Sequence, residues 1–185
     1  MDLHIVKYPH PALRTKAEAV KTIDKDLNLL AGQMLELMYD NEGVGLAAPQ
    51  VAQGVRMLVM NFAGDAEKKD QECVAINPTV VDQKGSVEDR EGCLSFPGLF
   101  QKVRRAKTVT VRAYNLKGEQ FEMTASGLAA RIWLHEIDHL NGVLFIDKMG
   151  MFGRMNSKQA LKELQAEFEK ALKRGDYPAD TAPKL

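Results

Sequence analysis

The chain has 185 residues, 45% hydrophobic and 27% charged, with 25 basic against 25 acidic side chains and no formal net charge. Such proportions fit one globular domain and exclude a wholly disordered chain. They give no global basic character to point to DNA, and no apolar run approaches the roughly 18–20 residues of a membrane span. Two cysteines are too few for a disulfide scaffold. The opening MDLHIVKYPH has no apolar leader core, so a bacterial cytoplasm is the expected setting. A processed organelle protein would read the same way.

In chain order, Pro9 and Pro11 mark an irregular arm. A helix is predicted over 24–41, with Leu27, Leu30, Met34, Leu37 and Met38 on one stripe, Asp24 as its cap and Gly43 beyond its end. GVGLAAPQ (43–50) is too rich in glycine to continue it. The apolar run 55–62 reads as a buried strand. The run 73–81 reads as a strand that is interrupted or at an edge, because Pro78 lacks an N–H. Strands over 108–113 and 119–124 join through Asn115–Gly118, a hairpin signal. A second helix over 126–141 is capped by Ser126 and stopped by Gly142. A third over 157–174 carries Leu161, Leu164, Phe168 and Leu172. One domain over 1–175 with a frayed tail from 176 is expected, and the grouping of strands favours α+β over alternating α/β.

The densest chemical signal is His135-Glu136-Ile137-Asp138-His139, an H-E-x-x-H pattern on a predicted helix. Residues i and i+4 share a face, about 6 Å apart along the axis, so both imidazoles can converge on one metal ion. Glu136 lies close enough to act as a general base on water there. The bland alternative is a surface helix with two solvated histidines. Catalytic metal sites usually take three protein ligands and keep one position open. Cys93, in the turn-like EGCLS, is the best candidate for the third, the alternative being a small buried hydrophobe. Cys73, flanked by Val74 and Ile76, reads as such a hydrophobe. A thiolate with two imidazoles suits zinc, iron(II), cobalt or nickel better than magnesium or calcium. In GVGLAAPQ the small residues allow close backbone approach to a ligand, and Gln50 offers an amide donor to a developing oxyanion. A helix end followed by a tight turn is the plainer reading of that segment.

Taken together and in this order, GVGLAAPQ (43–50), EGCLS (91–95) and HEIDH (135–139) closely resemble peptide deformylase. The resemblance extends from about His4 to about Met149. It implies antiparallel β-sheets packed around a central helix carrying H-E-x-x-H, with an N-terminal and a C-terminal helix. It implies Cys93, His135 and His139 as metal ligands, and Glu136 as the acid/base residue. Gln50 and the Leu94 N–H would hold the formyl oxygen, and Gly45 would lie against the substrate backbone. Val44, Leu128 and Ile132, with the His135 ring, would line the methionine pocket. Glu91 would be a supporting group paired with Arg105, although Arg104 is adjacent. Arg131 stands where the pocket wall calls for an apolar residue. The implied reaction is removal of the formyl group from N-formylmethionine on new polypeptides, releasing formate. One divalent ion is implied, iron(II) in vivo, with zinc, nickel or cobalt in purified protein.

The span 154–174 holds six Lys/Arg and three Glu. It suits either ribosomal RNA near the peptide exit or simply solvent. Among rivals, a zinc endopeptidase fits H-E-x-x-H alone, but such enzymes take a third His or Glu downstream. Here the other histidines, His4 and His10, lie in the N-terminal arm. A non-enzymatic binding protein of the same fold, or a structural metal module closed by a fourth ligand, are further alternatives.

Overall fold

A computed structural model describes residues 3–178, 181 and 183–185. Ten elements follow in order: α1 (Lys25–Asp40), β1 (Gly45–Ala47), β2 (Met57–Asn61), β3 (Glu72–Lys84), β4 (Val87–Cys93), β5 (Phe96–Arg105), β6 (Thr108–Tyr114), β7 (Gln120–Ser126), α2 (Leu128–Leu140) and α3 (Met151–Arg174). Five strands form an antiparallel sheet in the order β1-β2-β3-β6-β7, and β4 and β5 form a separate two-stranded sheet. This is the α+β arrangement of antiparallel sheets around a central helix that carries H-E-x-x-H.

The large sheet is covered on both faces, and β2 shows why its sequence is continuously apolar. Leu58 and Met60 face the α2 side, packing with Trp133 and Leu140. Met57 and Val59 face the α1 side, packing with Ala31, Met34 and Met38. Alternating residues of a strand point to opposite faces, so a strand buried twice is apolar over Met57–Met60, and the buried Asn61 at its end spends its amide N–H groups on Tyr39 Oη and the Asp65 and Lys68 C=O. The α1 start is as predicted: Asp24 accepts from the Leu27 N–H at 2.9 Å. A third cluster joins the arm (Val6, Tyr8, Leu13) to β5 (Phe96, Leu99, Val103) and to α3 through Leu161 and Leu164.

Several expectations shift. Pro78 is not at a sheet edge, because β3 lies between β2 and β6. The strand tolerates it through a register shift between Ile76 and Thr79, with Asn77 at φ 51°. The Asn77 side chain meets the Val20 N–H and C=O, each at 2.9 Å, so the bulge also pins the arm. The hairpin β4–β5 carries little sequence signal: the first four positions of β4 are exposed and three of them, Glu88, Asp89 and Arg90, are charged, and Pro97 and Gly98 interrupt β5. EGCLS is therefore the end of a strand and the turn after it. Helix α3 begins at Met151, six residues before the expected start at 157. The tail does not begin frayed: Tyr177 stacks on Phe168 with ring centroids 5.3 Å apart. Residues 179, 180 and 182 of that expected tail lie outside the described residues.

Candidate active site

Between the two sheets and α2 lies a cavity of about 540 Å³. Its walls come from four elements: Val44 and Gly45 at β1, Gln50 just after it, Cys93 and Leu94 at the end of β4, and Leu128, Ile132, His135 and Glu136 on α2. Every position singled out in the sequence except Arg105 and His139 lines this cavity or, like Glu91, stands at its floor. Ile132 is buried, whereas Leu128 is 63% exposed and forms the rim.

At the floor, one donor atom each from Cys93, His135 and His139 lie within 4.8 Å of one another. Cys93 Sγ is 3.3 Å from His139 Nε2, and the two Nε2 atoms are 3.2 Å apart. Two imidazole nitrogens so close repel unless a proton or cation stands between them. Burial disfavours the charged form of both rings. The Cys93 sulfur and Glu91 outweigh it at His135 and hold that ring well above the ordinary value, and His135 in turn pushes His139 further below. The His135 tautomer is set by its other nitrogen: Nδ1 faces Glu91 Oε1 at 2.7 Å, which leaves Nε2 to look inward. A soft sulfur and two inward imine nitrogens fit a divalent ion of the zinc or iron(II) type. No fourth Cys, His or carboxylate joins the group among the described residues.

Glu136 is 4% exposed, and its Oε2 has no hydrogen-bond partner. Burial pushes its carboxyl up to about 7, against the pull of His135, with Glu91 and Asp138 adding to the rise. A carboxyl near neutrality can both take and return a proton. Gly45 makes room for it: a Cβ there would stand 2.6 Å from Glu136 Oε1. The resemblance assigned Gly45 to the substrate backbone, and the packing adds a second reason for glycine. Gln50 is oriented by its own turn. The Ala47 N–H donates to Oε1 at 2.8 Å, so Nε2 points toward Cys93 Sγ and Ser95 Oγ, each at 3.4 Å.

Glu91 is the hub beneath the floor. Arg105 donates to both its oxygens, Nη2 to Oε1 at 2.6 Å and Nε to Oε2 at 3.1 Å. Arg105 Nη1 also pairs with Asp138 on α2. Arg104 faces away, 3.9 Å from Glu88 on the surface, so of the two adjacent arginines it is Arg105 that meets Glu91. Burial pushes Glu91 up, but hydrogen bonds from His135 and Arg105 outweigh it and hold the carboxylate well below its usual range. The sequence left open what Arg131 does at the pocket wall. It lines the cavity, and its guanidinium turns down, giving Nη1 to Glu91 Oε2 at 2.8 Å and to the Val103 C=O at 3.0 Å. A basic residue four positions before His135 on the same helix face was the available signal.

Donor triad, poised carboxyl and cavity define the class as a metallohydrolase with an H-E-x-x-H helix. A family model described as polypeptide deformylase matches residues 2–155. The chain is 43% identical to a peptide deformylase of Acidobacterium capsulatum, covering 89% of this chain and 96% of that one. It is 39% identical to one of Rhodopirellula baltica, over 91% and 84% of the two chains. A crystal structure of the Plasmodium falciparum peptide deformylase superposes with a TM-score of 0.87 at 39% identity, covering 90% of this chain and 98% of that one. A plant peptide deformylase structure gives a TM-score of 0.90 at 36% identity, covering 100% and 97%. The chain belongs to the polypeptide deformylase family.

Proposed function

We infer that this chain hydrolyses the amide bond between the formyl carbon and the methionine nitrogen of N-formylmethionyl polypeptides, releasing formate. Family membership supports the activity. One observation carries the residue assignments: Cys93, His135 and His139 converge beside a buried carboxyl with a free oxygen, at the floor of a pocket open to solvent.

Cys93 Sγ and the Nε2 atoms of His135 and His139 would hold one divalent ion, iron(II) in the cell and zinc, nickel or cobalt as purified. When bound, such an ion acidifies water enough to supply hydroxide near neutral pH. Glu136 takes the water proton on its unpartnered Oε2. As oxygen adds to the formyl carbon, negative charge builds on the formyl oxygen, where Gln50 Nε2 and the Leu94 N–H donate to it. Glu136 then returns its proton to the departing nitrogen, the C–N bond breaks, and formate and a free amine leave. Val44, Leu128 and Ile132 receive the methionine side chain, and Gly45 keeps the substrate close to Glu136. Glu91, with Arg105, holds the His135 ring.

The test is formate release from formyl-Met-Ala-Ser by anaerobically purified protein, with metal analysis of the same sample. Formate without internal cleavage is the expected result; cleavage between residues of the peptide would restore the endopeptidase reading. Against the latter, His10 packs on Phe168 and both His10 and His4 lie beside Tyr177, within the arm and away from the donor group.

The cellular setting proposed is the cytoplasm, with nascent chains as substrates; no described helix is long and apolar enough to cross a membrane. A ribosomal contact through α3 is the partner reading its excess of six basic over three acidic residues in 154–174 supports. Phe168 and Ser157 of α3 are buried, so truncation would damage the fold. Reversing the exposed Lys158 and Lys162 to Glu is the cleaner test, and unchanged salt-dependent ribosome pelleting would remove α3 from this account.

A further inference from the structure

The chemistry above leaves the N-terminal arm without a role, yet three consecutive arm residues bond the segments that carry the two amide donors. The Val6 N–H donates to the Gln50 C=O at 2.8 Å. Lys7 Nζ donates to the Leu94 C=O at 2.8 Å. The Tyr8 N–H donates to the Ser95 C=O at 3.0 Å.

The placement matters because of the sheet topology. Gln50 follows β1 of the large sheet, and Leu94 and Ser95 form the turn between β4 and β5 of the small one. No strand ladder joins the two sheets, so no ladder sets the spacing between Gln50 Nε2 and the Leu94 N–H. Gln50 Nε2 itself reaches across only to side chains, Cys93 Sγ and Ser95 Oγ, each at 3.4 Å, and not to the Leu94 backbone. The arm bridges both sides. Its anchors are firm: Val6 and Tyr8 are 1% and 4% exposed, and Tyr8 stacks on Phe96 with centroids 4.9 Å apart. Lys7, between them, is half-buried and sends its ammonium to the pocket wall. A charged donor on a carbonyl makes a stronger bond than a neutral one.

Resting on the proposed reaction, we propose that Lys7 is a positioning residue: together with the Val6 and Tyr8 N–H groups it straps the Gln50 turn to the Leu94–Ser95 turn and fixes the separation of the two donors to the formyl oxygen. An oxyanion site stabilises charge only when its donors are placed before the charge appears.

The test compares the metal-loaded full chain with Lys7→Met, which keeps the stem and removes the donor, and with Lys7→Arg, which keeps a cationic donor. Removing an oxyanion donor outright costs about 100–1,000-fold in kcat, and displacing one should cost less, about tenfold. The expected result is that fall in kcat on formyl-Met-Ala-Ser for Lys7→Met, with KM within about twofold, metal content and Tm as in the parent, and most of kcat recovered in Lys7→Arg. Hydrogen exchange of the Leu94 and Ser95 amides should quicken in Lys7→Met, a readout independent of turnover. Unchanged kcat, a rise in KM alone, or an equal loss in Lys7→Arg would overturn the proposal. Should Lys7→Met lose Tm, Lys7→Leu, which also lacks a donor, replaces it with the same criteria. A parent chain that released no formate would sink the reaction instead, while the exchange data would still report on the strap: unchanged exchange would overturn it too.

Discussion

The two walls of the pocket are held by different physics. The α2 wall is charged and dry: His135, Arg131 and Arg105 all bond Glu91, and Arg105 also reaches Asp138. The opposite wall carries neutral amide donors, Gln50 and Leu94, held by the Ala47 N–H, by two backbone bonds from the arm and by Lys7. A charge taken out of water must meet opposite charge or it unfolds its surroundings. A neutral donor needs only a fixed direction, which main-chain hydrogen bonds supply. The Glu91 network of the charged wall should therefore answer mutation with loss of stability and metal, and the neutral wall, like the unpartnered Glu136, with loss of rate.

Three changes on or near the charged wall sharpen that contrast. The largest effect on rate is expected at Glu136, which has no partner to lose. Glu136→Gln should lower kcat by about 100–10,000-fold while metal content and Tm hold, read by formate release and metal analysis. A Gln variant with parent-like turnover would remove the proton shuttle from the scheme.

Stability should fall most at the hub. Glu91→Ala leaves Arg131 without its carboxylate and His135 without an Nδ1 partner, and breaking a buried pair costs about 3–5 kcal/mol. Metal affinity should drop about 10–100-fold, since the ring loses its orienting contact. Arg131→Met should cost clearly less, because Glu91 keeps Arg105 and His135. Denaturant unfolding and metal-competition titration check both, and an Arg131 variant as damaged as Glu91→Ala would mean that Arg131, not Glu91, is the hub.

The smallest effect lies at an exposed counterpart of this network, Asp147 with Arg14, joined through Nη2 and Oδ1 at 3.0 Å. Burial raises the Asp147 carboxyl, but the hydrogen bond from Arg14 outweighs it and holds it below its ordinary value. A depressed carboxyl adds stability above its unfolded pKa of about 3.9 and loses it as pH falls through the folded value. Asp147→Asn should then be less stable than the parent at neutral pH by under about 1 kcal/mol, since the pair is partly solvated. The gap should close below about pH 4. A gap that persisted in acid would assign the effect to the hydrogen bond from the Leu144 N–H instead.

What was readable in the sequence followed from local rules. H-E-x-x-H on a helix places two imidazoles on one face whatever the rest of the chain does. The α1 cap at Asp24 and the continuous apolar run of β2 are equally local. The strands β4 and β5 were not readable because β4 is mostly charged and solvent-facing and the buried Phe96, Leu99 and Val103 of β5 follow no strict alternation and are interrupted by Pro97 and Gly98; their pairing makes them strands. Helix α3 was read late because Met151, Phe152 and Met155 are 76%, 79% and 65% exposed and fall outside its buried stripe. The role of Arg131 stayed open in the sequence because periodicity gives the face of a helix but not the direction a long side chain takes.

Residue type and spacing by themselves put two imidazoles on one face of a helix, made Cys93 the best candidate for a third ligand, and favoured an α+β fold. Only the tertiary structure decided that Cys93 reaches those rings, that Arg105 and Arg131 converge on one carboxylate, and that the arm ties Gln50 to Leu94. Spacing along one helix is set by the backbone repeat, whereas the meeting of segments some 40 residues apart, such as Cys93 and His139, is set by how separate sheets pack, which no local pattern records.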